Sequence, residues 1–181
     1  MKKRCQKLHG TLIAAIMSAL VFGLAGCFGG CIEPKNTVWE YVNHHSGEGI
    51  TILSLKDNSI LTEGNVLTLP IEVDGKKVMD FGRLAWTQRT YFNPGTQVEK
   101  IIVPDGVPIG EYFWGENIPL VVEFLSENPS HRIPGGVEFD DKIRTLVVPD
   151  GASRAYGESL YGPFYRMRII EKSTYLSQSS D

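Results

Sequence analysis

This sequence has little of what most enzymes, metalloproteins and nucleic-acid binders are built from. Its 181 residues include three cysteines and four histidines, with no C-x-x-C or H-x-x-x-H spacing. Neither a disulfide framework nor a zinc set is therefore expected. No G-x-S-x-G elbow, phosphate-binding glycine loop or dinucleotide fingerprint occurs, and no cofactor is expected. Lys and Arg number 18 against 21 Asp and Glu, so the chain lacks the basic surplus that draws nucleic acid. No apolar run reaches the ~20 residues that cross a bilayer as a helix. Beyond the leader, no window of eleven residues repeats its apolar positions at a helical period. Turn residues are plentiful, with 19 Gly and 10 Pro, which argues against a helical bundle.

The first thirty residues carry an address. Lys2, Lys3, Arg4 and Lys7 precede an uncharged run, TLIAAIMSALVFGLA, over Thr11–Ala25. A basic start, a short apolar stretch and small residues at its end are the order of a secretory signal peptide over 1–26. The run closes on Leu24-Ala25-Gly26-Cys27, which resembles a bacterial lipobox. The resemblance implies cleavage after residue 26 and a diacylglyceryl thioether on Cys27, whose sulfur is the nucleophile this chemistry needs. Acylated Cys27 would hold the protein in the lipid bilayer, on the outer face of a membrane of a bacterial cell envelope and exposed at the surface. Two or three acyl chains make that anchor stable. Taking the leader's four basic residues from 18 leaves 14 against 21 acidic ones, a net charge of −7 for the mature chain. Cys5 leaves with the leader. Cys31 is then the remaining thiol, either incidental or able to bridge to another chain. Residues 27–37, CFGGCIEPKNT, read as a lipidated tether.

From 38 to 175 short β-type segments alternate with turn signals. The strand candidates are Ile50–Leu55, Val66–Ile71, Ile101–Val103, Val121–Leu125, Leu146–Val148 and Arg168–Ile170. Their spacing is regular. IIVPDG at 101–106 returns as LVVPDG at 146–151. Val103, Leu125, Val148 and Ile170 follow at steps of 22, 23 and 22, and Leu69 lies 34 residues before Val103. Gly82 to Trp86 aligns with Gly110 to Trp114. One short strand per 20–29 residues is the period of a leucine-rich-repeat solenoid, in which each unit buries its apolar side against its neighbours. The expected fold is a β-rich repeat solenoid of short parallel strands lining one face, with irregular connectors, few or no regular helices, and a disordered tail at 176–181. Proline ends each ladder and Asp-Gly supplies the turn. Trp86 and Trp114 are expected to stack inside, and Tyr161, Phe164 and Tyr165 to cap the C-terminal end of the core.

The segments LTLPIEVDGKKVMDFGRLAW, VEKIIVPDGVPIGEYFW and IRTLVVPDGASRAYGESLYGPFYRMRIIE resemble the BspA-like leucine-rich repeats of bacteria. That unit reads roughly I-x-I-P-x-x-V-x-x-I-G-x-x-A-F. Val148-Pro149-Asp150-Gly151 with Tyr156 is similar to the family's closing unit. The resemblance covers roughly 48–172, with Phe81 where isoleucine is usual and Phe113 in place of a small residue. It implies a non-catalytic surface lipoprotein that binds a protein partner, or adheres, through the strand face. The alternative is an accessory lipoprotein that scaffolds an envelope assembly without an external ligand.

Candidates for chemistry are few. His44 and His45 are adjacent, and on a strand their rings would face opposite sides and share no metal. Glu138, Asp140 and Asp141 lie beside Gly135-Gly136 without a calcium-loop pattern, and His131 stands apart. Ser46 and Ser153 sit in no nucleophile elbow. No catalytic, metal or cofactor-binding residue is expected. Cys27 is the one functional position the sequence assigns.

Overall fold

Period-two alternation of apolar residues makes strands, and thirteen occur among the described residues. The computed structural model describes residues 37–85, 88–129, 133–134, 143–161 and 167–179. All belong to the unit Asn36–Asp181. The leader, Cys27 and Cys31 therefore fall outside the described residues, as do Trp86, His131, Glu138, Asp140, Asp141, Phe164 and Tyr165.

In chain order the strands are β1 (Trp39–Asn43), β2 (Ile50–Leu55), β3 (Val66–Thr68), β4 (Glu72–Val73), β5 (Lys76–Phe81), β6 (Arg83–Ala85), β7 (Gln88–Thr90), β8 (Lys100–Val103), β9 (Val121–Phe124), β10 (Ile133–Pro134), β11 (Arg144–Val148), β12 (Leu160–Tyr161) and β13 (Met167–Glu171). Five of them, in the order β13-β11-β9-β8-β3, form one sheet. Every pairing in it is parallel and joins chain neighbours within that set. Leu67, Ile101, Val122, Leu146 and Ile169 stand side by side. The steps between them are 34, 21, 24 and 23 residues.

This register corrects the sequence alignment by one residue at two places. Val103 pairs with Phe124, not Leu125, and Val148 with Glu171, not Ile170. Alternation gives the reason: Phe124 turns into the core at 6% exposure, while Leu125 beyond the strand end is 47% exposed. The N-terminal region also departs from one strand per unit. There β1 and β2 form an antiparallel hairpin, β2 pairs in parallel with β5, and β4 returns on β5 through Asp74-Gly75. Two smaller pairings, β6 with β7 and β10 with β12, complete the strand set.

Regular helices are few: α1 (Ser153–Ser159) and α2 (Lys172–Gln178) have seven residues each. Helix α2 runs into the segment expected to be a disordered tail. Arg168 Nη2 donates to Gln178 Oε1 there at 3.3 Å, and at the helix start Ser173 N–H donates to Asp150 Oδ1 at 2.9 Å. No helix among the described residues is long and apolar enough to cross a membrane.

The core is filled by aromatics where the repeat pattern has aliphatic or small residues. Phe81 meets Phe92 and Phe113 edge-on at 5.1 and 6.1 Å, Phe92 stacks on Phe113 at 5.6 Å, and Phe113 meets Trp114 at 4.9 Å. Such geometries add to area burial, and Trp114 is buried. The two Pro-Asp-Gly strings make equivalent turns. Val107 N–H donates to Pro104 O and Ala152 N–H to Pro149 O, while Gly106 and Gly151 take φ of 77° and 82°. After the second turn, α1 inserts Tyr156 against Phe124 at 5.2 Å, and its hydroxyl donates to Ser126 O at 2.8 Å. Burial, with Asp105 nearby, pushes that hydroxyl up to about 12.

Candidate binding surfaces

The five-stranded sheet has one face in the core and one directed away from it. The outward rows are Val66, Lys100, Val121, Thr145 and Arg168, and Thr68, Ile102, Glu123, Val147 and Ile170. This is the face the repeat reading expects to carry binding. It has no aromatic side chain, and much of it is covered. Val147 and Ile170 are buried yet stand outside the core cluster. Helix α2 lies over them.

Glu123, at 5% exposure, anchors that cover. Lys172 Nζ reaches it from α2 at 2.7 Å, and Lys100 Nζ reaches it from β8. The Lys100 ammonium also stands 5.5 Å from the centre of the Tyr175 ring, a cation–π distance. Burial acts to raise the Glu123 carboxyl, but its hydrogen bonds and charge contacts with Lys100 and Lys172 outweigh it and hold the group below its ordinary 4.5. A depressed pKa gives stability that is present above 4.5 and lost as the pH falls through the lower folded value. Glu123→Gln is accordingly expected to cost about 1–2 kcal/mol at pH 7, because Lys100, largely covered, and Lys172, half exposed, both lose their anionic partner. Urea unfolding at pH 7 and pH 3 checks this. A penalty that persists undiminished at pH 3 would contradict the ion-pair account.

A second surface lies on the side of β5. The expectation that the His44 and His45 rings face opposite sides fails here. β1 ends at Asn43 and the chain turns, with His44 N–H donating to Gly49 O and Gly47 N–H to His44 O. Alternation stops with the strand, and the two imidazoles lie 4.0 Å apart, tilted by 50°. Both lie within electrostatic reach of Asp80 on β5. Burial pushes the Asp80 carboxyl up, opposed by the N–H groups of Phe81 and Gly110 and by the two histidines. The Phe81 N–H bond to Asp80 Oδ1 is 2.7 Å.

Tyr112 continues this patch from the 3-10 turn Glu111–Phe113, which sends Phe113 into the core and leaves Tyr112 half-buried. Phe92 N–H donates to Tyr112 O at 2.8 Å, and the Tyr91 and Tyr112 rings stand 5.8 Å apart. The Arg89 guanidinium lies close enough to Tyr91, with Tyr112 and Glu111 also in its field, for these groups to hold it above its ordinary value. Close backbone packing holds this arrangement. A Cβ on Gly115 would come within 3.1 Å of Tyr91 Cβ, and one on Gly82 within 2.6 Å of Tyr112 Cβ.

Ser46, His44 and Asp80 are the residue types of a hydrolytic triad, but their geometry is that of a turn. His44 Nδ1 shares a 2.8 Å hydrogen bond with Ser46 Oγ and also faces the Ser46 N–H at 3.4 Å. Glu48 N–H in turn donates to Ser46 Oγ at 3.2 Å. Among the described residues no hydrogen bond joins His44 to Asp80, and no group of three His, Cys, Asp or Glu could hold a metal ion. Ser153 is likewise structural, donating to Glu171 Oε1 at 2.8 Å. Sequence reasoning missed the Tyr91–Tyr112 patch. The usable signal was the paired glycine spacing at 82 and 110, which marks close backbone approaches.

No protein-family model, curated protein or solved structure matches this chain.

Proposed function

We propose that this chain is a lipid-anchored protein of the bacterial envelope whose body is a short leucine-rich-repeat-type solenoid serving as a non-catalytic protein-binding module. Parallel strands in chain order, at steps of 34, 21, 24 and 23, support the repeat reading. The lipobox-like end of the leader supports the anchor through Cys27. One observation carries the binding role: the partly exposed Tyr91–Tyr112 pair with Arg89, beside His44 and His45. Tyrosine and arginine are the residues on which protein interfaces concentrate their energy, and tyrosine presents large area with little rotamer entropy to lose. The contact region in this reading is the tyrosine patch rather than the strand face.

A photo-crosslinking residue at position 112, placed in the protein as expressed in its own cells, tests this. A discrete adduct with a second protein is expected, weakened at least ~10-fold by Arg89→Ala with Tyr91→Ala, the range of a hot-spot loss. The same crosslinker at exposed Glu63, outside the patch, is expected to give none. Equal adducts at both positions, or none at 112 in correctly exported protein, would count against the patch.

A further inference from the structure

Asp80 stands between the histidine turn and the tyrosine patch. It lies near the end of β5, one residue before buried Phe81 and two before Gly82. Its Oδ1 accepts the Phe81 N–H at 2.7 Å, and the Gly110 N–H faces the same carboxylate. The approach at Gly110 is close. An added Cβ there would stand 2.6 Å from Asp80 Oδ1 and 3.1 Å from Oδ2, so a side chain at 110 displaces the carboxylate. Gly110 caps the 3-10 turn Glu111–Phe113, whose middle residue is Tyr112. That turn has three holds. Phe113 is buried in the aromatic core, the Tyr112 carbonyl accepts from Phe92 N–H, and Gly110 lies against Asp80. Only the third is ionisable. Among the described residues, the titratable groups that act on Asp80 are His44 and His45 from the turn after β1, and Tyr112 lies in its field from the 3-10 turn. Glu111 and Arg89 act in turn on Tyr112. β2 sets uncharged Thr51 beside Asp80, and β4 meets β5 at its other end, through Lys76 and Lys77.

We propose that Asp80 is a positioning residue for the tyrosine patch and makes the patch acid-sensitive: the ionised carboxylate fixes the Gly110 end of the turn that presents Tyr112, and protonation releases it. A carboxylate only accepts, so it suits the two N–H groups that face it, whereas protonation turns one oxygen into a donor. The contacts that remain lose the strength that charge gives them. Burial favours the neutral acid and so moves this step toward neutral pH, while the two imidazoles as cations oppose it. The fold as a whole is therefore not weakened by the step; the contacts made by the charge are. The histidine turn sets the pH at which the patch changes. Any effect on a partner rests on the tyrosine patch being the contact region, but the coupling of Asp80 to Tyr112 does not.

The test is an NMR titration of the intact protein from neutral pH to about pH 3, reading the Asp80 carboxyl carbon, the Phe81 and Gly110 amides and the Tyr112 ring. All are expected to move with one midpoint, above 3.8. Asp80→Asn is expected to abolish the step at Gly110 and Tyr112. His44→Gln with His45→Gln is expected to raise the midpoint at Asp80 and Tyr112 together, since two cations that hold the carboxyl down are gone. A Tyr112 ring that stays fixed while the Asp80 carboxyl titrates overturns the proposal, as does a step at Tyr112 that survives in Asp80→Asn. If Asp80→Asn does not keep the folded spectrum, the histidine variant decides: a Tyr112 step that does not follow the carboxyl to its new midpoint overturns the coupling. The crosslink at position 112 is read alongside, at pH 7 and below the midpoint. An adduct at least ~5-fold weaker below it, the size of one lost hydrogen bond, is expected. An adduct equal at both pH values overturns the acid sensitivity of the patch. No adduct at either pH, with the coupled step intact, counts against the patch as contact region and leaves the coupling standing.

Discussion

Gly82→Ala is expected to destabilise the fold by about 3–4 kcal/mol. Two costs combine. Gly82 has φ of 73°, a left-handed conformation that costs an L-residue roughly 1–2 kcal/mol. The added Cβ would also overlap Tyr112 O and come within 2.6 Å of Tyr112 Cβ and 2.8 Å of Thr90 O. Two of these three contacts are backbone oxygens that no rotamer change can move aside, and overpacking of this kind costs about 1–3 kcal/mol more. Gly106→Ala separates the two contributions. Gly106 has φ of 77° but nothing within 4 Å of the added carbon, so its cost is the conformational one, about 1 kcal/mol. Urea denaturation of the two variants side by side measures the difference. A Gly82→Ala penalty no larger than that of Gly106→Ala would mean the backbone is not held as closely as described. The variant that folds least well is also expected to lose the crosslink at position 112, because the overlap falls on the residue that carries the patch.

The second large effect is expected at Cys27. Cys27→Ala removes the sulfur on which the lipobox-like motif depends, and with it all uptake of lipid label. Each buried methylene of an acyl chain contributes ~0.8 kcal/mol to membrane binding, so two or three chains make release negligible while none leaves the acidic body in solution. The uncharged run Thr11–Ala25 is too short to substitute as a spanning helix. Metabolic labelling with palmitate and fractionation of membranes check this together. A variant that still takes up label and sediments with membranes would sink the lipoprotein reading.

Much of the parallel sheet was legible because its signals are local. Ile101–Val103 and Leu146–Val148 are short β-branched or aliphatic runs closed by Pro-Asp-Gly, and each element of that string has one structural use. Registry between strands was less legible. Phe124 and Leu125 are both large and apolar, so sequence alone could not say which of the two turns inward. Only the pairing of Val103 with Phe124 decides it. Helix α2 was invisible for a related reason: Lys172–Gln178 is polar on nearly every side, and a helix held by an ion pair and a ring contact leaves no apolar period to read. The histidines show the opposite failure. The expectation of opposed rings assumed that the strand continued past Asn43, and the turn at 44–49 removes that premise. Asp80 drew no notice because nothing in its neighbours in sequence reveals Gly110, thirty residues on, whose N–H faces its carboxylate.

The order of the parallel sheet bears on how the protein reaches its final state. Each of its strands pairs with the one made before it, and the steps between them are 34 residues or fewer. A polypeptide made from its N-terminus therefore delivers each strand of this sheet to a partner that has already emerged. Folding can advance vectorially, with little waiting for distant sequence. Helix α2 follows all five of these strands in the chain. Until it is made, the outward face over Val147 and Ile170 stays uncovered, so synthesis itself includes an interval in which that face is bare.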